Sequence, residues 1–267
     1  MSVGGTWYPG EPTTLAAEVD RYIDAADVEE APPPLALITP HAGLMYSGPV
    51  AAFAYALAKA APYRAAILIG PSHFVPFRGV AIWSEGEWET PFGPVAVDPE
   101  LASSIRGGSG EVVENAAAHG REHSLEMQLP FLAHVLPGVP IVPLVMGHQT
   151  RDTALALGGA VARAIGSRRD EVLLVASSDL SHYEDAATAG DMDAVVMRHV
   201  EAMDPDGLMG ALELEPRHAC GGGPMVSVLH AARQLGATTA RVLSYADSGD
   251  VSGDKSAVVG YMAAAIW

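Results

Sequence analysis

The chain carries a single cysteine, Cys220, among its 267 residues, so no internal disulfide can form. That usage fits a reducing compartment. Basic residues are scarce too: 15 Lys and Arg stand against 32 Asp and Glu, leaving a formal charge of −17. A surface this acidic repels phosphate backbones, which argues against general nucleic-acid binding and favours solubility. No basic segment followed by an apolar stretch opens the chain, since Met1-Ser2-Val3-Gly4-Gly5 is small and polar. Gly, Pro or charge interrupts every apolar run before the roughly 18 residues a membrane helix needs. The sequence holds no low-complexity tract and no internal repeat. These absences predict a cytoplasmic protein with neither membrane nor nucleic acid as partner.

What is present is apolar bulk in alternating pieces. Hydrophobic residues make up 49% of the chain, enough for a sizeable core. Residues 13–26 read as an amphipathic helix with Leu15, Val19, Tyr22 and Ile23 on one face. A Pro-rich link at 29–34 leads to a buried strand at 35–39, and Ser47 offers an N-cap for an Ala-rich helix reaching about Lys59. Further strands are expected at 65–69, 141–146, 172–176, 241–246 and 257–262, with a hairpin region over 79–97. Helices are expected near 98–106, 122–136, 154–165, 185–203 and 205–212, and Cys220 begins a Gly-rich entry into one more that ends near Leu235. Alternation over the whole length predicts one α/β domain spanning 1–267. It would have three layers, with helices on both faces of a mixed, mainly parallel sheet.

Four short segments end strand-like runs with metal-capable side chains: Ile38-Thr39-Pro40-His41, Ile69-Gly70-Pro71-Ser72-His73, Ser177-Ser178-Asp179-Leu180-Ser181-His182, and Arg217-His218-Ala219-Cys220-Gly221-Gly222-Gly223-Pro224. In open α/β sheets ligands bind in the crevice outside the strand carboxyl ends. Imidazole and thiolate together suit zinc, iron or copper rather than magnesium or calcium. A cysteine opening a helix also gains thiolate character from the helix dipole, as ligand or as nucleophile. Its bland alternative is a small, inert core residue. Asp179 and His182 serve either as metal-site or acid/base groups or as an N-cap and turn. His123 and Glu126, spaced i,i+3, share a helix face that either closes the site or faces solvent. His119, His134, His148, His199 and His230 have no supporting context and read as structural or surface residues.

Assembled, these motifs resemble the MEMO family, whose bacterial and archaeal members are labelled AmmeMemoRadiSam system protein B. The resemblance runs through Gly5-Thr6-Trp7-Tyr8-Pro9, Pro40-His41-Ala42-Gly43, Tyr46-Ser47-Gly48 and Gly70-Pro71-Ser72-His73. It continues through Thr90-Pro91-Phe92-Gly93 and the stretch from Glu122-His123-Ser124 to Leu129-Pro130-Phe131. Ser177-Ser178-Asp179-Leu180-Ser181-His182, Cys220-Gly221 and Tyr245-Ala246-Asp247-Ser248 complete it. It implies a fold like that of class III extradiol dioxygenases, which hold non-haem Fe(II) with two histidines and a carboxylate. Carried over by motif, the metal ligands would be His41, His73 and Cys220, the thiolate standing where the dioxygenase carboxylate lies. Thiolate softens such a site toward copper and zinc and is itself oxidisable, which sets ring cleavage in question. Asp179, His182 and His123 would line the same cavity as acid/base or orienting groups.

The leading expectation is therefore a metal-dependent redox or oxygenase-type protein acting on a small molecule or peptide. Fe(II) leads as the metal, with Cu or Zn as alternatives. A second reading is a peptide- or small-anion-binding protein that retains the pocket, and a third is a hydrolase with Cys220 as nucleophile.

Overall fold

The computed structural model describes residues 2–59 and 61–267. Its strands are β1 (Ala36–Thr39), β2 (Ala65–Pro71), β3 (Val80–Ile82), β4 (Glu87–Trp88), β5 (Val95–Ala96), β6 (Val112–Glu114), β7 (Ile141–Met146), β8 (Val172–Ser177), β9 (His182–Glu184), β10 (Ala240–Asp247) and β11 (Val258–Ile266). Its helices are α1 (Pro12–Ala25), α2 (Leu44–Ala58), α3 (Pro99–Gly108), α4 (Ala116–His119), α5 (Leu129–Val135), α6 (Arg151–Ile165), α7 (Ala186–Glu201), α8 (Pro205–Leu214), α9 (Gly222–Gln234) and α10 (Gly249–Ser252). The main sheet runs β10-β11-β1-β8-β2-β7-β3-β6, with β9 paired to β11. Its centre, β1-β8-β2-β7, is parallel, and antiparallel pairings of β11 with β1 and of β3 with β7 flank it.

Alternating side chains split the core into two layers. Ile67 and Ile69 pack with Leu144, Leu174 and Ala176 under α6 and α9. Ala66 and Leu68 pack with Val145, Leu173 and Val175 under α1, α2 and α5. Central strands covered on both faces read as unbroken apolar runs, which is why β2, β7 and β8 were legible. Ile67, Leu68 and Leu174 are wholly buried, a gain of about 1.5–3 kcal/mol for each such side chain. The result is a three-layer α/β arrangement with a mixed sheet, as the alternation predicts. Among the described residues no helix is long and apolar enough to cross a membrane.

Four local expectations need correction. The helix starting at Leu44 is not capped by Ser47, which lies inside it and donates its hydroxyl to Ala42 O at 2.8 Å. The expected helix over 122–136 begins as a 3-10 turn at Glu126 and becomes α-helical only at Leu129. Glu122 is spent on loop amides, and Pro130 suits a first helical turn, where its missing N–H costs nothing. In the 79–97 region only β4 and β5 form a two-stranded pair, while β3 joins the main sheet between β7 and β6. Finally, the segment from Arg217 to Pro224 does not end a strand: it follows α8 and a 3-10 turn at Pro216–His218, and the Gly-rich run after Cys220 enters α9 at Gly222 with Gly221 as its cap.

The topology puts three adjacent carboxyl ends side by side. The chain leaves β1 at Thr39, β8 at Ser177 and β2 at Pro71 along one edge of the sheet. Two glycines let the surrounding loops close in. A Cβ on Gly70 would stand 2.7 Å from Ser124 Oγ, and one on Gly221 would collide with Ser177 O. Both positions require the absence of a side chain rather than an unusual backbone angle.

Candidate metal centre

His41 follows β1, is 1% exposed, and points its Nδ1 at Ser177 Oγ, 2.9 Å away. Ser177 has one hydroxyl proton, and it goes to Ser124 O at 2.6 Å. The serine oxygen must therefore accept from His41, so the His41 proton sits on Nδ1 and Nε2 carries a lone pair. The same oxygen accepts from Gln128 Nε2 at 2.7 Å. That amide is fully used: its nitrogen also donates to Pro40 O at 3.0 Å, and its oxygen accepts from Thr39 at 2.7 Å and Tyr55 at 2.9 Å. A buried, fully satisfied chain of this kind fixes both ring orientation and tautomer.

His73 is held by different means to the same effect. The Glu122 carboxylate accepts from His73 Nδ1 at 2.8 Å and from the His73 backbone amide at 2.6 Å. It also accepts from the Ser124 amide at 2.9 Å. Burial alone would raise the Glu122 carboxyl, but the donors from His73 and Ser124 outweigh it and take it down to about 2. His73 consequently keeps its proton on Nδ1 and frees Nε2.

His123 completes a cluster. Its ring stacks on His73 with centroids 4.5 Å apart and lies 5.6 Å from His41, while Trp7 covers it at 4.5 Å. Metal-capable nitrogens of His41, His73 and His123 all fall within 4.8 Å of one another. Around an ion at about 2.0–2.1 Å, tetrahedral nitrogens sit roughly 3.4 Å apart, so only a small contraction separates the cluster from coordination. Burial, reinforced by the neighbouring rings, lowers His41 well below the usual imidazole range and lowers His123 in the same direction. The rings therefore resist protonation and keep their lone pairs.

Cys220 lies beside this cluster. Its Sγ is 3.2 Å from His41 Nε2 and 3.6 Å from Asp179 O. Because His41 Nε2 bears the lone pair, the thiol proton is the donor in that contact. Burial, with Asp179 adding to it, pushes the thiol far above its ordinary value. Cys220 precedes the α9 cap at Gly221, so the condition under which a helix dipole would favour its thiolate is not met. Its loop is pinned: Gln149 donates to Cys220 O and accepts from Gly223 N, each at 2.7 Å, and Gly221 N donates to Ser178 Oγ at 2.9 Å.

Asp179 is buried and accepts from the His41 amide at 2.7 Å. Burial raises its carboxyl, against the pull of backbone donors from His41 and Ala42. It thus positions the His41 loop. His182 donates Nδ1–H to Leu180 O at 2.8 Å, which leaves its Nε2 free. Glu126 is not on a solvent-facing stripe with His123. It is buried and accepts from Ser2 N at 2.5 Å, Val3 N at 3.0 Å and Tyr8 OH at 2.8 Å, anchoring the segment that carries Trp7.

Sequence reasoning passed over Glu122, Ser177, Gln128 and Gln149 as working residues. Glu122 meets His73 across 49 residues and Gln128 meets Ser177 across 49, so no local spacing reveals either contact. The one signal within the chain was the trio Ser177, Ser178 and Ser181 around Asp179, too polar for a strand end that only turns.

Comparison with known proteins agrees with this geometry. A family model described as Memo-like protein matches residues 1–265. Similar curated proteins, each named a MEMO1 family protein, include one from Caldivirga maquilingensis, 39% identical over 87% of this chain and 83% of that protein. Another from Thermotoga petrophila is 36% identical over 100% and 98%, and one from Methanosarcina acetivorans is 38% identical over 98% and 96%. Among solved structures, an uncharacterized protein from Escherichia coli K12 superposes with a TM-score of 0.52 over 93% of this chain and 91% of that one. At 16% identity that likeness concerns the fold alone.

Proposed function

We propose that this chain, which belongs to the Memo-like protein family, holds one transition-metal ion at the carboxyl edge of its sheet. His41 and His73 would be the fixed nitrogen donors, with Cys220 sulfur and His123 nitrogen completing the set. The observation that carries this reading is the pair of committed tautomers. Ser177 accepts from His41 Nδ1–H and Glu122 from His73 Nδ1–H, so both rings carry their lone pair on Nε2, that of His41 facing the Cys220 thiol. A nitrogen and sulfur donor set of this kind suits Fe(II), Cu or Zn, and such an ion supplies Lewis acidity and, with iron or copper, redox chemistry.

The chain's own groups then divide the remaining work. Asp179 fixes the His41 loop through its amide hydrogen bond. His182, with Nε2 free, is placed to take or give a proton to a ligand in the cleft. Half-exposed Trp7 and Phe74 flank His123 and His73 and offer apolar surface to a small molecule or peptide in the cytoplasm. A nucleophilic Cys220 fits less well, since its thiol is raised rather than lowered.

The test is titration of chelator-treated protein with Zn(II), and anaerobically with Fe(II), followed by calorimetry and by the rate of Cys220 alkylation. One equivalent should bind saturably, slow alkylation, and release protons as the thiol is displaced. His73→Ala, on the open side of the cluster, should weaken binding by about a hundredfold and Cys220→Ser by at least about tenfold. Absence of one-to-one binding, or a His73→Ala variant that binds like the parent while its circular dichroism is unchanged, would overturn the proposal.

A further inference from the structure

Behind Glu122, on the side away from His73, lies a cavity of about 260 Å³. Trp83, Trp88, His119, Glu87, Glu89, Glu122 and Glu126 line it with Ser2 and Gly120, and among the described residues neither Lys nor Arg does. Three of these rings form a box. Trp83 and Trp88 stand at 85° with centroids 6.4 Å apart, and His119 stands at 80° and 82° to them, 5.9 and 5.8 Å away. The Trp83 indole is held in place by its N–H donating to Glu85 O at 2.7 Å.

His119 supplies an independent sign of a missing occupant. It is 6% exposed, and among the described residues neither ring nitrogen has a hydrogen-bond partner. The Ala81 carbonyl lies near enough to favour a proton on the ring but not in hydrogen-bonding geometry. Leaving such a group unpaired costs about 1–3 kcal/mol, so the site is better satisfied by an occupant that carries a hydrogen-bonding group, such as a hydroxyl, beside its cationic end. Burial lowers His119 to about 4, so at neutral pH it offers a lone pair and carries no charge that would repel a cation. At the rim, Glu87 and Glu89 are exposed and make no ion pair among the described residues.

We propose that this cavity binds an organic ammonium ion, enclosed by the two indoles and His119 and neutralised by the surrounding carboxylates. Ring faces attract a cation lying within about 6 Å of their centroids, and quaternary or methylated ammonium groups gain most because they are large and weakly hydrated. The volume admits a headgroup the size of choline rather than a peptide. The site is distinct from the proposed metal centre, with Glu122 as the wall between them.

Metal-free protein titrated with choline at physiological ionic strength, observed through the N-methyl proton resonance, tests this directly. Its neutral isostere, 3,3-dimethyl-1-butanol, serves as the control for shape. Choline should bind saturably and the alcohol about tenfold more weakly, the range expected of a partly desolvated cation–ring contact. Trp88→Leu should abolish the difference. The surface double substitution Glu87→Gln with Glu89→Gln, which leaves the rings untouched, should weaken choline severalfold without affecting the alcohol. Equal binding of the two probes, no saturable choline binding, or an unaffected Glu double variant would each overturn the proposal. Because no metal is added, the result is independent of the metal reading.

Discussion

Replacing Glu122 with Gln preserves shape and removes one charge, so it isolates what the carboxylate does for His73. Two routes give its size. The carboxyl sits at about 2 instead of the 4.5 of a free glutamate. At 1.36 kcal/mol per pH unit that gap corresponds to about 3 kcal/mol favouring the ionised form in the folded chain. The side chain is 1% exposed, so solvent screening takes little from it. Counting bonds leads to a similar figure. The amide oxygen of Gln can replace one carboxylate oxygen, but its NH2 then faces an N–H of His73 and leaves a buried donor unpaired, at about 1–3 kcal/mol. Glu122→Gln should therefore lower stability at pH 7 by roughly 2–4 kcal/mol, read as a fall in the urea midpoint. It should also weaken Zn(II) binding by about 10–100-fold, because His73 loses the partner that fixes its tautomer. The stability cost should shrink in acid, since a depressed carboxyl contributes above its free value and loses that contribution as pH falls toward 2. A variant with an unchanged midpoint and unchanged metal affinity would refute the assignment of Glu122 as the group that orients His73.

Ser177→Ala removes the shared acceptor of His41 Nδ1 and Gln128 and strands Ser124 O. Stability should fall by about 2–4 kcal/mol and metal affinity by about tenfold, and a loss of stability with full affinity would show that His41 does not need this partner. Asp193 is wholly buried and its carboxyl is raised by burial, despite hydrogen bonds from Ser181 and Tyr245. A carboxyl raised on folding favours the native state in acid and loses that advantage as pH climbs from the free value through the folded one. Asp193→Asn should accordingly gain on the parent chain as pH rises across that window, and parallel pH profiles of the two urea midpoints would contradict it.

The architecture could be read from the chain because β2, β7 and β8 are buried on both faces and so stand out as apolar runs between amphipathic helices. The boundaries that failed did so for one reason: the apolar pattern does not stop where a helix stops. Leu125, Leu129 and Leu132 keep helical spacing, yet Leu125 is a buried loop residue because Glu122 and Ser124 bind the β2 loop instead of starting a turn. Ser47 looked like a cap because caps and helix-interior serines are both small and polar. Its hydroxyl in fact bonds back to Ala42 within the first turns. Placing His41 and His73 at strand ends followed from sequence, and the structure gathers both with His123; Cys220 instead follows a 3-10 turn at Pro216–His218 and meets the cluster through His41 Nε2. The partners that fix their tautomers were out of reach, since each such contact joins segments at least 49 residues apart.

The arrangement distinguishes a metal ion from a proton. A proton can be shared by two lone pairs, and in this chain one already is, lying between Cys220 Sγ and His41 Nε2. A second proton would convert a buried imidazole to its charged form beside two others, which is why His41 and His123 are both driven below the usual range. A divalent ion faces a different balance. Bound as proposed, it would meet several lone pairs at once, with Cys220 giving up its proton to serve as an anionic donor, so its own charge would be partly compensated there. The donors are also unequal in rigidity. His41 and His73 are each locked by a hydrogen-bonded Nδ1, whereas His123 is held by ring contacts with Trp7 and His73 and has no hydrogen-bond partner among the described residues. Adjustment to an ion of different size would therefore fall on His123, and through its contact with Trp7 any such movement would reach the segment anchored by Glu126.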